Sequence, residues 1–166
     1  MAFQPIRLLG DPVLRARCKQ VRFPLTRADR KLITDLNDTL KDFRKRRGFG
    51  RGIAAPQIGV AKRVIVIRSV GAMINPRIVK KSVSKFALWD DCFSFPDLLV
   101  KVRRHRSVVV QYLDEHGESK KISVNNDMAE LLQHEIDHVN GILAIDRAIS
   151  SKSIVLRSEY VKNKNL

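Results

Sequence analysis

Apolar positions recur along this chain at two spacings, and the change between them marks its elements. Leu32, Ile33, Leu36, Leu40 and Phe43 fall three and four apart, the spacing of one face of a helix. Thr26 precedes this run with an acid three residues on, Asp29, a variant of the capping box that opens helices. The pattern predicts a helix reaching about Arg46, where Gly48 and Gly50 end it. Upstream, Asp11 suits an N-cap and Pro12 a first helical position, predicting a short helix or turn over 11–18. Arg22-Phe23-Pro24 breaks it.

Elsewhere the apolar residues run together. Val64-Ile65-Val66-Ile67, between Arg63 and Arg68, predicts a buried strand. Residues 73–79 predict a second extended piece, interrupted by Pro76. Residues 90–96 read as a loop carrying Cys92. Segments 108–113 and 121–124 flank Asp114-Glu115-His116-Gly117, a hairpin signal. Asn126 or Asp127 can cap a second long helix, with Gly141 as its C′ residue, and 151–161 predicts a short terminal helix. Helices and strands are segregated rather than alternating, which predicts an α+β fold.

Composition narrows the class. The 166 residues suit one domain over 1–166, large enough for a core without staples. No apolar run approaches the roughly 20 residues of a membrane span, and the start lacks the order of a secretory signal, so the expected setting is the cytoplasm with no membrane partner. Two cysteines, Cys18 and Cys92, are too few for a disulfide framework. The net charge of +15 attracts polyanions. Its cations are spread along the chain, with local runs at 41–47 and 103–106, and no aromatic stripe interleaves them. A loose association with a large RNA assembly such as the ribosome is compatible with this charge. The expected state is a monomer.

Candidate chemistry gathers in the second helix. In Gln133-His134-Glu135-Ile136-Asp137-His138 the two histidines stand four apart, so both imidazoles can aim at one point. Such a pair can hold a divalent metal, and Glu135 beside it can handle protons. A catalytic site of this kind has three protein ligands and one open position. The candidates for the third are Cys92, His105, His116 and several carboxylates. His116 sits in the predicted hairpin turn and His105 in a basic run that repels a cation. A thiolate at Cys92 is a strong ligand for a soft or borderline metal, and a buried, inert cysteine is the other reading. The segment 48–59 is dominated by glycine, alanine and proline, which allows close backbone approach to a ligand or neighbour.

Three segments together resemble the motifs of peptide deformylases. Gly50-Arg51-Gly52-Ile53-Ala54-Ala55-Pro56-Gln57 is similar to the first motif, GxGxAAPQ. Asp90-Asp91-Cys92-Phe93-Ser94 is similar to the second, usually EGCLS, and residues 133–138 match the third, QHExDH, in full. Their order and spacing agree, and the resemblance runs to about Arg147. It implies a small α+β fold with mixed and antiparallel sheets packed around a central metal-binding helix. It implies one divalent metal on Cys92, His134 and His138, expected to be ferrous iron and replaceable by zinc, nickel or cobalt. It implies hydrolysis of the N-formyl group of formylmethionyl nascent chains, releasing formate. Glu135 would be general base and then acid. Gln57 and the Phe93 backbone N–H would stabilise the oxyanion. Gly50 and Gly52 would let backbone run close to a peptide substrate, and Arg104 would lie near it.

The departures concern the substrate. Asp91 puts a charge where the motif has glycine, and Arg51 and Glu130 stand at usually apolar positions beside the implied methionine pocket. Unless these charges pair or turn outward, they predict another acceptor, such as formyl-lysine residues. Two further readings compete: a metalloprotease, and an inactive basic RNA- or ribosome-binding relative.

Overall fold

The computed structural model describes residues 3–163. Three α-helices, α1 (Arg27–Arg47), α2 (Asn126–Val139) and α3 (Arg157–Lys162), and three short 3-10 helices, among them Pro12–Arg15, accompany eight strands among the described residues. These are β1 (Gly52–Ala54), β2 (Val64–Ile67), β3 (Gly71–Lys81), β4 (Lys85–Asp90), β5 (Leu98–His105), β6 (Ser107–Leu113), β7 (Ser119–Asn125) and β8 (Ile154–Leu156). Two antiparallel sheets result, one of order β1-β2-β3-β6-β7 and one of order β4-β5-β8.

The continuous apolar run of β2 has a simple cause: both of its faces are covered. Val64 and Val66 pack under α1 with Leu32, Leu36 and Phe43. Ile65 and Ile67 point the other way, toward Leu132 and Ile136 of α2. Side chains alternate across a strand, so β2 is the shared floor of two cores and can spare no polar position. A third cluster, with Leu14, Cys92, Val100, Val102 and Leu143, closes the far side of α2 against the smaller sheet.

The helix ends behave as their residues dictate. Thr26 and Asp29 exchange capping-box bonds, and Gly48, left-handed at φ 78°, returns its N–H to Arg44 O at 2.9 Å. Gly141, at φ 76°, follows α2 and packs against the 15–16 backbone, where a Cβ would stand 2.5 Å from Arg15 O. The cap of α2 is Asn125, one residue before the two candidates named above.

Three expectations change. Strands β4 and β5 arise where no strand was predicted. β3 runs through Pro76, with a register shift between Ile74 and Arg77 taking up the proline. The terminal helix is shorter than predicted, because 154–156 pair with β5 before α3 begins. Cys18 is buried against α2, and burial pushes its thiol up to about 11, Arg63 opposing.

Candidate active site

Every residue of α2 from Ala129 to Val139 is buried. Six of them are polar: Glu130, Gln133, His134, Glu135, Asp137 and His138. Buried polar groups cost free energy unless partnered, so their partners reveal their tasks. Gln133 is fastened to the backbone of His105 in both directions, at 2.9 Å each way. Asp137 takes Arg147 and Arg104. Glu130 takes Arg51 at 2.6 Å. His134, Glu135 and His138 face instead toward the loop after β4.

That loop presents Cys92, its turn closed by Phe95 N–H onto Cys92 O at 3.2 Å. Cys92 Sγ stands 3.2 Å from His138 Nε2, which stands 3.2 Å from His134 Nε2. Metal–ligand bonds of about 2.0–2.3 Å in a tetrahedral set place donors roughly 3.3–3.6 Å apart. The two spacings lie close to that range and all three donor atoms lie within 4.8 Å of one another, so the thiol and the two imidazoles fit a small divalent ion. Among the described residues, the buried side-chain polar atoms lacking a hydrogen-bond partner are His134 Nδ1, His138 Nδ1, Glu135 Oε2 and Arg104 Nε, all in or behind this cluster. A second group of donors, Asp90, Glu130 and His134, also converges, but Arg104 and Arg51 already engage its two acids.

Charge around the cluster is arranged in layers. Asp90 Oδ1 lies 2.9 Å from His134 Nδ1, close enough for attraction though not aligned as a hydrogen bond. Its other oxygen accepts from Arg104 at 2.9 Å. Burial works against the Asp90 carboxylate, yet His134 and Arg104 hold it down to about 2. Against burial, Asp90 and Cys92 raise His134 well above the usual imidazole range, while burial and His134 push His138 well below it. Burial also pushes Glu135 up to about 7; the charge on His134 opposes this and Asp90 and Glu130 add to it.

The first motif lines the opposite wall of a cavity of about 370 Å³. Ala54 N–H donates to Gln57 Oε1 at 2.9 Å, which turns the amide nitrogen toward Cys92 Sγ and Ser94 Oγ, each at 3.5 Å. Gly52 lies against Glu135, where a Cβ would stand 2.8 Å from Oε1. Gly50, at φ 123°, lies against the Phe93 ring, where a Cβ would stand 2.5 Å from Cζ. That ring stacks on Phe43 with centroids 3.7 Å apart, so Phe93 is anchored by its side chain, and its N–H has no acceptor among the described residues.

The structure thus brings together Cys92, His134, His138, Glu135, Gln57, Phe93, Gly50, Gly52, Arg51, Asp91 and Glu130. Gly50 and Gly52 make room for Phe93 and Glu135 as well as for any ligand. Arg104 does not join them. Placed near substrate by resemblance, it is instead 3% exposed behind the histidines, bridging Asp90 to Asp137. Its position inside β5 turns it inward with Val100 and Val102, and two carboxylates neutralise it there. Arg51 and Glu130 pair with each other, and Asp91 at the rim pairs with Arg157 of α3 at 2.9 Å. Asp90, Asp137 and Arg157 are neighbours of the site to which the sequence assigned no role, although Asp90 opens the second motif. Asp137 sits inside the third motif, whereas nothing local marks Arg157.

The family model described as "Polypeptide deformylase" matches residues 3–153. The peptide deformylase of Pseudothermotoga lettingae is 38% identical over 159 residues, covering 95% of this chain and 90% of the relative. Among solved structures, peptide deformylase from Thermotoga maritima superposes with a TM-score of 0.83 at 33% identity, covering 90% of this chain and all of that one. The enzyme from Legionella pneumophila gives 0.82 at 37% identity, covering 92% of this chain and 89% of that one.

Proposed function

The chain belongs to the polypeptide deformylase family, and from that premise we propose how its own residues hydrolyse an N-formyl peptide to formate and a free amine. The carrying observation is the meeting of Cys92, His134 and His138 at 3.2 Å spacings under the Glu135 carboxylate and the Gln57 amide. Those three would hold one divalent ion, ferrous iron by family expectation with zinc, nickel or cobalt able to replace it; when bound, it supplies a Lewis acid that makes water nucleophilic at neutral pH.

Glu135 takes the proton from the attacking water and passes it to the departing nitrogen as the C–N bond breaks. Burial raises this carboxyl toward neutrality, the direction required of a group that both takes and returns a proton. Gln57 Nε2 and the Phe93 N–H receive the charge that develops on the formyl oxygen. Ala54 keeps the amide from turning over, so its donor is set before the reaction begins. Asp90 orients His134, and Arg104 holds Asp90 in turn. Arg51 and Glu130 neutralise each other at the cavity wall, which removes the main ground for an altered acceptor. Formyl-lysine substrates are accordingly not favoured, and formylated nascent chains are the substrate.

The protein works as a monomer in the cytoplasm, and its +15 charge supports loose association with the ribosome. No helix of the described residues is long and apolar enough to cross a membrane. The test is anaerobic formate release from formyl-Met-Ala-Ser after metal reconstitution, with Glu135→Ala beside wild type. The expected loss is about 10²–10⁴-fold in kcat with metal content retained. Turnover that survives the substitution, or protein that takes up no stoichiometric metal, would overturn the reading.

A further inference from the structure

A second cavity, of about 380 Å³, lies on the other side of α2 from the catalytic one, between the end of β3, the β4–β5 pair and the helix. Its lining includes Lys80, Lys81, Lys85, Arg103, Arg104 and Arg147, with Asp137 as the one carboxylate. Asp137 is already shared by Arg104 and Arg147. Lys80, Lys81, Lys85 and Arg103 are exposed and have no ion-pair partner among the described residues. Their grouping follows from the fold. β3 delivers Lys80 and Lys81 at its end, the turn returns Lys85, and the β4–β5 register sets Lys85 opposite His105 and Ala87 opposite Arg103. Arg104 Nε, buried in the same wall, has no acceptor of its own.

Four unpaired like charges held around one concavity repel each other. Their arrangement gains free energy when an anion with several charges enters. We propose that this cleft binds the phosphodiester backbone of a nucleic-acid strand. A bilayer presents its charge on a broad surface that cannot enter a cleft, whereas a strand offers successive phosphates on a narrow chain. RNA is the favoured source; this choice rests on the deformylase reading, since a nascent chain is presented on an RNA-rich particle. The phosphate site itself does not depend on that reading; of its lining, Arg104 also supports Asp90 behind the metal ligands, and the four unpaired cations Lys80, Lys81, Lys85 and Arg103 have no part in catalysis.

The test is fluorescence anisotropy with a labelled single-stranded 20-nucleotide RNA, its DNA counterpart and phosphatidylserine-containing vesicles, from 50 to 200 mM salt. The groove variant is Lys80→Gln/Lys81→Gln/Lys85→Gln/Arg103→Gln. A control with equal charge loss, Arg22→Gln/Arg27→Gln/Arg30→Gln/Lys41→Gln, removes exposed cations elsewhere. Four lost phosphate contacts should flatten the slope of log K against log salt by about 3, at about 0.7 per contact for a single strand. The control should change it by less than about 1. Formate release and melting temperature report folding separately, and both variants should keep them. Loss of formate release in wild type would overturn the deformylase reading and leave phosphate binding standing. Equal weakening by both variants would show diffuse charge and overturn the proposal. Capture by vesicles in preference to RNA would also overturn it, and tighter binding of DNA would overturn the assignment to RNA.

Discussion

Replacing Gly52 by alanine isolates the placement of Glu135. Gly52 does not occupy the left-handed region, so the added methyl meets no backbone penalty and acts by contact alone. It would stand 2.8 Å from Glu135 Oε1 and 2.9 Å from Ile67 Cδ1. Ordinary contacts begin near about 3.5 Å, so relief takes a shift of roughly 0.7 Å. Ile67 is fully buried and is the register partner of Gly52 across β1 and β2, which leaves it little room to retreat. The carboxylate, at the cavity wall, therefore moves. A misplacement of this size at a reacting group costs on the order of 10–10² in rate, and the overpacking costs about 1–3 kcal/mol of stability. The assay is kcat for formate release at saturating peptide, with metal content and thermal melting on the same preparation. The expected result is a fall in kcat at full metal occupancy in a folded protein. A kcat within twofold of wild type, with the fold intact, would refute the argument that Gly52 exists to seat Glu135.

Three further outcomes follow from other contacts. Asp90→Asn keeps the shape but removes the charge behind His134, so metal affinity should fall about 10–100-fold in chelator competition; unchanged affinity would show that Asp90 does not orient the ligand. Arg51→Ala leaves Glu130 buried without its cation. Because Arg51 is about half exposed, the loss should be near 1 kcal/mol rather than that of a fully buried pair, and Arg51→Leu/Glu130→Ile should recover the melting temperature. Asp29 concerns pH: burial opposes its ionisation, but Lys62 and Thr26 hold it below the usual carboxylate range. A lowered pKa adds stability above the unfolded value of about 3.9, and that stability disappears as pH falls through the folded value. Denaturation of wild type and Asp29→Asn should thus differ at pH 6 and converge in acid; a constant difference would exclude this linkage.

What could be read beforehand follows the range of the interactions involved. α1, β2, the β6–β7 hairpin and α2 declare themselves through spacing and caps within a few residues. The two histidines are visible for the same reason, being one turn apart on one helix. β5 was hidden by Arg104: an arginine among inward-facing valines breaks the alternation of a buried strand. It is tolerable only because Asp90 and Asp137, 14 and 33 residues distant, meet it. β4 carries only a weak local signal, Phe86 and Leu88 alternating with more exposed neighbours. The pairings of Asp91 with Arg157 and of Arg51 with Glu130 span 66 and 79 residues, and no local pattern encodes them. Cys92 lies between, since its motif is local but its approach to the histidines is tertiary.

The link between Arg157 and the loop before Cys92 has a practical side. Arg157 ties to Asp91, donates its Nε–H to Pro96 O at 2.8 Å, and lies over the Phe49 ring at 4.8 Å. It thereby staples the start of α3 across both lips of the reaction mouth. A purification handle or reporter joined after α3 would pull on that staple, whereas one joined ahead of residue 3 would not. Handles at the two ends are therefore not equivalent choices, and the difference in turnover between them would measure how firmly the mouth is held.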